Sequence, residues 1–230
     1  MTKHILQVKN LSKKYKHKEN YIDLFKNVNL KIGKGSLIAL TGPSGSGKSS
    51  FLHILALLDD PTNGKIIINN NETKDLKDIE KDNLRSKNIS IIFQDNNLLS
   101  DFTAIENVMM PLIIKGEKIS LIVKKAKEIL KQVDILNRIN HFPNELSGGE
   151  QQRVAIARAI IADTDLILAD EPTGNLDYKT SLNIFSYFLK LKKMNKTVIF
   201  ATHNRELANM ADYKLSISKG DIKRANARIK

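Results

Sequence analysis

Hydrophobic and polar positions change period several times along this chain, and each change marks an element. From Ile5 to about Ile32 apolar and polar residues alternate, as in Ile5, Leu6, Val8 and Leu11, which predicts antiparallel strands. Another strand is predicted over Gly64-Lys65-Ile66-Ile67-Ile68, after the turn Asp60-Pro61-Thr62-Asn63. Short apolar runs follow at Leu37 to Leu40, Ile89 to Phe93, Leu166 to Ala169 and Val198 to Thr202. The third of these suits an inner strand of a parallel sheet. Between them the spacing turns helical: after Lys48-Ser49, over 102–114, over 121–136 with an apolar stripe of Val123, Ala126, Ile129, Leu130 and Val133, and after Ser147 with Val154, Ala155, Ile156, Ala159 and Ile160. A surface helix over 178–193, a strand over 197–202 and a helix over 204–211 complete the pattern. Strand alternating with helix implies an α/β fold with a mostly parallel core sheet. The N-terminal strands add an antiparallel β subdomain, and a helical subdomain at about 95–148 is inserted in the core, all within a single domain over 1–230.

The segment Gly42-Pro43-Ser44-Gly45-Ser46-Gly47-Lys48-Ser49-Ser50 fits the P-loop pattern, with its two framing glycines at the required interval and Lys-Ser directly after. An apolar run precedes it and a helical run follows, so the context is strand, loop, helix. That arrangement turns the backbone N–H groups of Ser44, Gly45, Ser46 and Gly47 inward at the positive end of a helix, where a polyphosphate is favoured. Lys48 reaches β- and γ-phosphate oxygens in such a loop, and the Ser49 hydroxyl holds Mg²⁺. A buried strand ending in acid is the second part an ATPase needs. Leu166 to Ala169 supplies the strand, then Asp170 and Glu171, then Pro172, which stops pairing. Asp170 is expected to accept water ligands of Mg²⁺ and Glu171 to act as general base on the attacking water.

Ser147-Gly148-Gly149 stands just ahead of a strong helical pattern, so these small residues are expected at a helix N-terminus. Alone, Ser-Gly-Gly is a commonplace cap and turn. Its place inside Leu-Ser-Gly-Gly-Glu-Gln-Gln-Arg (146–153) changes that reading.

From about Ile5 to Gly220 the chain resembles the ATP-binding subunit of ATP-binding-cassette (ABC) transporters. The parts of that family occur in order as Tyr15, the P-loop, Gln94 in Phe93-Gln94-Asp95, the 146–153 signature, Asp170-Glu171, Asn175-Leu176-Asp177, and His203 in Ala201-Thr202-His203. The resemblance implies that Tyr15 stacks on adenine, Gln94 contacts a Mg²⁺ ligand, His203 donates to the γ-phosphate and Asp177 meets the opposing subunit. It also implies a head-to-tail homodimer in which Ser147, Gly148 and Gly149 of one copy complete the ATP site of the other. Integral membrane subunits would then dock between Gln94 and the helical subdomain.

The stretch from Leu98 to Leu112 is similar to that of the bacterial lipoprotein-releasing ATPases, and 170–177 fits the wider group that includes macrolide exporters and the cell-division ATPase. The first resemblance implies two different membrane subunits and transfer of lipoproteins from the inner to the outer membrane. Asp95-Asn96-Asn97 replaces that group's aromatic or His-rich run, and Ser100 stands in place of proline. Both departures fall on the partner-facing surface. Soluble ABC ATPases acting on DNA or ribosomes are a different class, marked by long coiled-coil insertions or tandem cassettes. This chain has one cassette and no sustained heptads.

The formal charge of +12 invites a nucleic-acid reading. Lysine, however, supplies 30 of the 37 basic residues, and 22 asparagines accompany it, as an AT-rich genome would produce. The dense clusters at 13–18 and 219–230 lack the aromatic interleaving of a base-stacking surface. They suit solvated faces or nearness to anionic lipid, and no nucleic-acid partner is expected. Cysteine is absent, which excludes disulfides and thiolate metal sites. No stretch approaches the ~20 apolar residues of a membrane span, and the first residues do not form a signal-peptide block. The expected place is peripheral, at the cytoplasmic face of the bacterial inner membrane.

Overall fold

The computed structural model describes residues 4–18, 20–174 and 176–226. In chain order its elements are β1 (His4–His17), β2 (Asn20–Gly33), β3 (Leu37–Thr41), α1 (Lys48–Leu55), β4 (Asn63–Ile68), β5 (Asn71–Glu72), α2 (Asp78–Asn88), β6 (Ile89–Ile92), α3 (Ala104–Ile114), α4 (Ile119–Gln132), α5 (Gly148–Ile161), β7 (Leu166–Asp170), α6 (Tyr178–Lys193), β8 (Thr197–Ala201), α7 (Arg205–Asn209), β9 (Tyr213–Ser218) and β10 (Asp221–Asn226). An antiparallel sheet has the order β2-β1-β4-β5, and a second sheet the order β10-β9-β3-β8-β7-β6. The second sheet is parallel from β6 to β9, and β10 closes it antiparallel.

The inner strands lack alternation in sequence because both faces of this sheet are covered. Leu37, Ala39, Ile167, Ala169, Val198 and Phe200 point into one core with α3, α4, α5 and α6. Their neighbours Ile38, Leu40, Leu166, Leu168, Ile199 and Ala201 point into the other, with α1 and the antiparallel sheet. The period of two along each strand deals successive side chains to opposite cores. Edge-on aromatic pairs fill both: Phe185 and Phe200 at 5.4 Å between centroids in the first, Phe25 and Phe51 at 5.5 Å in the second. Each such buried ring contributes about 1.5–3 kcal/mol of transfer free energy.

Several sequence expectations shift. Helix α3 starts at Ala104, two residues late, because Thr103 caps it: its N–H and hydroxyl donate to Glu106 Oε2 at 2.8 and 2.6 Å. In α4 the fully buried stripe is Ile122, Ala126 and Leu130, continued by Val133, while Val123 and Ile129 are only partly buried. Within Ile122-Val123 the apolar run does not say which residue faces inward. The 178–193 helix is not simply a surface helix, since Ile184, Phe185, Phe188 and Leu191 bury one face of α6. The 204–211 helix is shorter, Arg205–Asn209. Helix α2 carries no sequence signal because only Asn88 of it is buried. Strands β9 and β10 were likewise unexpected. Among the described residues no helix is long and apolar enough to cross a membrane.

Candidate active site

The loop from β3 to α1 wraps back on itself, with Ser46 N–H donating to the Pro43 carbonyl at 3.2 Å. A Cβ on Gly42 would lie 2.7 Å from both the Ile217 carbonyl oxygen and the Ser46 hydroxyl, so only glycine fits that crossing. Gly47, at φ +95°, is the N-cap of α1 and offers no side-chain cap, which leaves the first N–H groups of the helix facing outward. Lys48 Nζ donates to the carbonyls of Gly42 and Pro43 at 3.1 and 3.3 Å. Leu24 of β2 backs Gly47 from outside. The result is a cleft of about 510 Å³ lined by Leu24, Ser44, Gly45, Gly47, Lys48, Ser49, Ser50, Gln94, Glu171 and His203.

Parallel pairing of β7 with β8 sets the acids. Asp170 lies opposite Ala201, so both strands end at the same edge. Glu171 then leaves the strand at φ +43°, an unusual conformation for a side-chain-bearing residue. Its N–H donates to Ala201 O at 3.2 Å, and its carbonyl accepts from Gly174 N–H at 2.9 Å. This bend turns the Glu171 carboxylate toward His203, with Oε2 3.0 Å from Nδ1. The acid side chain is 13% exposed and the histidine 71%, so a sheltered carboxylate holds an accessible imidazole.

Asp170 does not line the cleft. It is 8% exposed, and its Oδ1 has no hydrogen-bond partner, as is true also of the Ser46 hydroxyl. A buried carboxylate oxygen left unpaired costs free energy unless a ligand or water satisfies it. Among the described residues no group of three His, Cys, Asp or Glu side chains gathers to chelate a metal. The Asp170 carboxylate and the hydroxyl of Ser49, which lines the cleft, are instead a donor set that fits a hydrated Mg²⁺, which keeps most of its waters.

Gln94 follows β6 and enters the cleft wall. Beyond it, Asn96 and Asn97 have φ of +58° and +44°, a region asparagine tolerates better than bulky residues do. Arg158 of α5 donates to the Asn96 and Asn97 carbonyls at 2.7 and 2.8 Å, and burial lowers its pKa. Asn107, fully buried, accepts from Leu99 N–H at 2.8 Å and donates to the carbonyls of Leu99, Phe102 and Thr103. Sequence reading gave no role to Arg158, which stands in no motif, or to Asn107, which lies in the 98–112 stretch without any mark of its own. Beside this loop lies an apolar groove of about 500 Å³, walled by Phe93, Leu99, Met110, Pro111 and Ile114 and rimmed by Arg85, Lys115 and Arg158.

The remaining expected residues lie outside the cleft lining. Tyr15, paired across the hairpin with Ile22, is 41% exposed and donates its hydroxyl to Asp59 Oδ2 at 2.7 Å. Lys13 Nζ sits 4.7 Å from the centre of that ring and donates to Asp59 Oδ1 at 2.7 Å. Ser147 caps α5 in a box with Glu150, ahead of Gly148 and Gly149. Asp177 caps α6, accepting from Thr180 N–H at 3.0 Å. Asn175 is outside the described residues.

Comparison with known proteins agrees with this geometry. A family profile described as ABC transporter matches residues 25–174. The lipoprotein-releasing system ATP-binding protein LolD of Rickettsia bellii is 48% identical over 218 residues, 94% of this chain and 96% of that protein. LolD of Geobacter metallireducens is 45% identical over 206 residues, 89% of this chain and 92% of that one. Among solved structures, the dimeric post-hydrolysis state of the ATP-binding cassette MJ0796, bound to ADP and Pi, superposes with a TM-score of 0.91 at 41% identity, covering 98% of this chain and 100% of that one. With a P-loop, a sheltered acid beside a histidine and this likeness along nearly its whole length, the chain belongs to the ABC transporter family as an ATP-hydrolysing cassette.

Proposed function

We propose that this chain is the ATPase subunit of a lipoprotein-releasing ABC transporter. It works as a head-to-tail pair on two different membrane subunits, at the cytoplasmic face of the inner membrane. The observation that carries the catalytic part is the Glu171–His203 contact at 3.0 Å on the wall of the P-loop cleft. Similarity to LolD proteins at 41–48% identity over most of the chain supports the cargo.

The roles follow from chemistry. The N–H groups of Ser44 to Gly47 and of the start of α1 hold the phosphates, and Pro43 and Ser50 frame that segment. Lys48, held only by neutral carbonyls, exchanges them for the more strongly attracting phosphate oxygens. Ser49 and Asp170 are the groups to hold Mg²⁺, with Gln94 reaching one of its waters. When bound, the cation offsets charge on the β- and γ-phosphate oxygens. Glu171 takes the proton of the attacking water as its oxygen bonds to the γ-phosphorus, while the bond from that phosphorus to the β–γ bridging oxygen breaks and ADP leaves with that oxygen. His203 holds that carboxylate through its Nδ1 edge and is the side chain to donate to the γ-phosphate.

Ser147, Gly148 and Gly149 lie away from the cleft of their own chain, which supports their service to a second copy. The dimeric MJ0796 cassette supports the association of two copies. Tyr15 supplies an adenine platform, and Asp177 faces the partner copy. The helical subdomain, about 95–148, contributes much of the apolar groove beside Gln94, and a membrane subunit docking there would sense the ATP site through Arg158.

The test is to trap Glu171→Gln protein with ATP in its own cell membranes, solubilise mildly and identify by mass spectrometry what accompanies it. Two different membrane subunits with acylated lipoproteins are expected. A single exporter-like or division-type subunit would move the cargo, and ribosomes or DNA proteins would overturn the membrane assignment.

A further inference from the structure

The start of α5 carries an anion where the proposed pairing needs another anion to arrive. Glu150 folds back in the capping box, so that its Oε2 accepts from Ser147 N–H at 2.8 Å and from the Ser147 hydroxyl at 2.9 Å. A serine hydroxyl has one proton. Ser147 can therefore donate to a γ-phosphate only by withdrawing from Glu150, and the two anions then lie within about 6 Å of one another, the span of two hydrogen bonds through one hydroxyl. The carboxylate stays ionised there, because the Ser147 N–H first, and then the hydroxyl and Arg138, hold its pKa below the ordinary glutamate range.

The second oxygen of Glu150 is satisfied from elsewhere. Arg138, at the end of the 3₁₀ turn Leu136–Arg138, donates from Nε to Glu150 Oε1 at 3.0 Å. Its Nη1 lies 3.2 Å from His141 Nε2, a second contact that restrains the guanidinium. The loop itself is tied to the start of α3, where Ala104 and Ile105 N–H groups donate to the His141 and Ile139 carbonyls. Glu150 is 19% exposed on its side chain and Arg138 42%, so water screens the pair only partly.

We infer that Arg138 is a positioning residue for the composite ATP site: it neutralises and retains Glu150, so that Ser147 can turn its hydroxyl to donate a hydrogen bond to the γ-phosphate of the opposing copy. No bond other than hydrogen bonds changes. The inference rests on the head-to-tail reading above. Without Arg138 the released carboxylate faces the incoming phosphate with no counter-charge and only the Ser147 N–H as donor, and like-charge repulsion opposes closure.

The experiment is a double-mutant cycle in the Glu171→Gln background, reading ATP-driven dimerisation by sedimentation velocity and single-subunit binding with a fluorescent ATP analogue. Arg138→Gln is expected to raise the dimer dissociation constant about tenfold, which is about 1.4 kcal/mol. Adding Glu150→Gln should restore it to within about twofold of Glu150→Gln alone, and analogue binding should be unchanged throughout. Arg138→Lys, keeping the charge, should lose only part of the effect and serves if Arg138→Gln does not fold. Additive effects, or a dimer indifferent to Arg138, would overturn the assignment while leaving the composite site standing. A Glu171→Gln parent that binds ATP but never pairs removes the composite site itself, and this role with it.

Discussion

Two helix N-termini in this chain are assigned to phosphate, α1 to the ATP of its own copy and α5 to that of the opposing copy, and they are built in opposite ways. Helix α1 opens with Gly47, has no side-chain cap and no acid in its first turn. Helix α5 opens with Ser147 capping the Glu150 N–H, and Glu150 places a carboxylate in its first turn. The first leaves its N–H donors and partial positive charge fully available, so a lone subunit can bind polyphosphate through it at once. The second has spent its best donor internally and must exchange bonds to receive an anion. One end is a standing site and the other a conditional one. A cassette whose pairing follows nucleotide binding needs that order, since two equally open ends would favour anion binding by each subunit separately.

The sharpest way to break the comparison is to remove the chemistry that ends the paired state. Glu171→Gln keeps the shape of the side chain but loses the base, and turnover should fall about 10²–10⁴-fold. ATP should then accumulate in a stable pair, seen by sedimentation with ATP and absent with ADP. Hydrolysis at the unmutated rate would remove Glu171 from its role. Next in size, Lys48→Ala should weaken ATP binding to the single subunit about 10²-fold, because a charged donor is lost at the standing site. Titration with a fluorescent ATP analogue measures it. If the loss appeared only in dimerisation, the two helix ends would not differ as argued.

Ser147→Phe tests the conditional end alone. It removes the cap, worth about 1 kcal/mol, and blocks the surface the opposing nucleotide must meet. Steady-state turnover should fall about tenfold or more while single-subunit binding stays within about twofold. Turnover that is unaffected, at protein concentrations where the parent pairs, would sink the composite site.

How far each end could be read from sequence follows the same division. The standing site is a local pattern, since Gly42 to Ser49 and the Asp170-Glu171 pair are contiguous and need only their flanking strand or helix. The Glu171–His203 contact is different. It spans two strands and depends on the register that sets Asp170 against Ala201, together with the positive φ of Glu171, and neither has a sequence mark. Charged residues that support the site from loops and helices, such as Asp59, Arg138 and Arg158, were invisible for the same reason: a lone charge on a polar segment looks like solvent-facing surface. In the fold, apolar runs announced the inner strands because both faces are buried, whereas α2, with Ile79 and Leu84 its only apolar residues, gave no period to read. The expected stripe in α4 held at Ala126, Leu130 and Val133 and missed Ile122, because adjacent Ile122 and Val123 offered two equivalent faces.

The smallest expected effect concerns the base rather than the phosphates. Tyr15 stands two residues across the hairpin from Leu24, which touches the P-loop, and Asp59 holds its hydroxyl at 2.7 Å while also taking Lys13. Lys13 is 8% exposed, so removing the acid leaves a nearly buried cation with only the Asp60 carbonyl and the aromatic face. Asp59→Asn keeps the volume and weakens both contacts, which frees the ring to rotate. The loss should be about threefold to fivefold in ATP affinity, within the worth of one net hydrogen bond, with turnover at saturation unchanged. Tyr15→Phe should match it, and Tyr15→Ala should exceed it. The chain has no tryptophan, so Tyr15→Trp places one reporter at the platform. Its emission should change on adding ATP and not on adding tripolyphosphate. A response to both would mean that the ring senses loop closure and not the base.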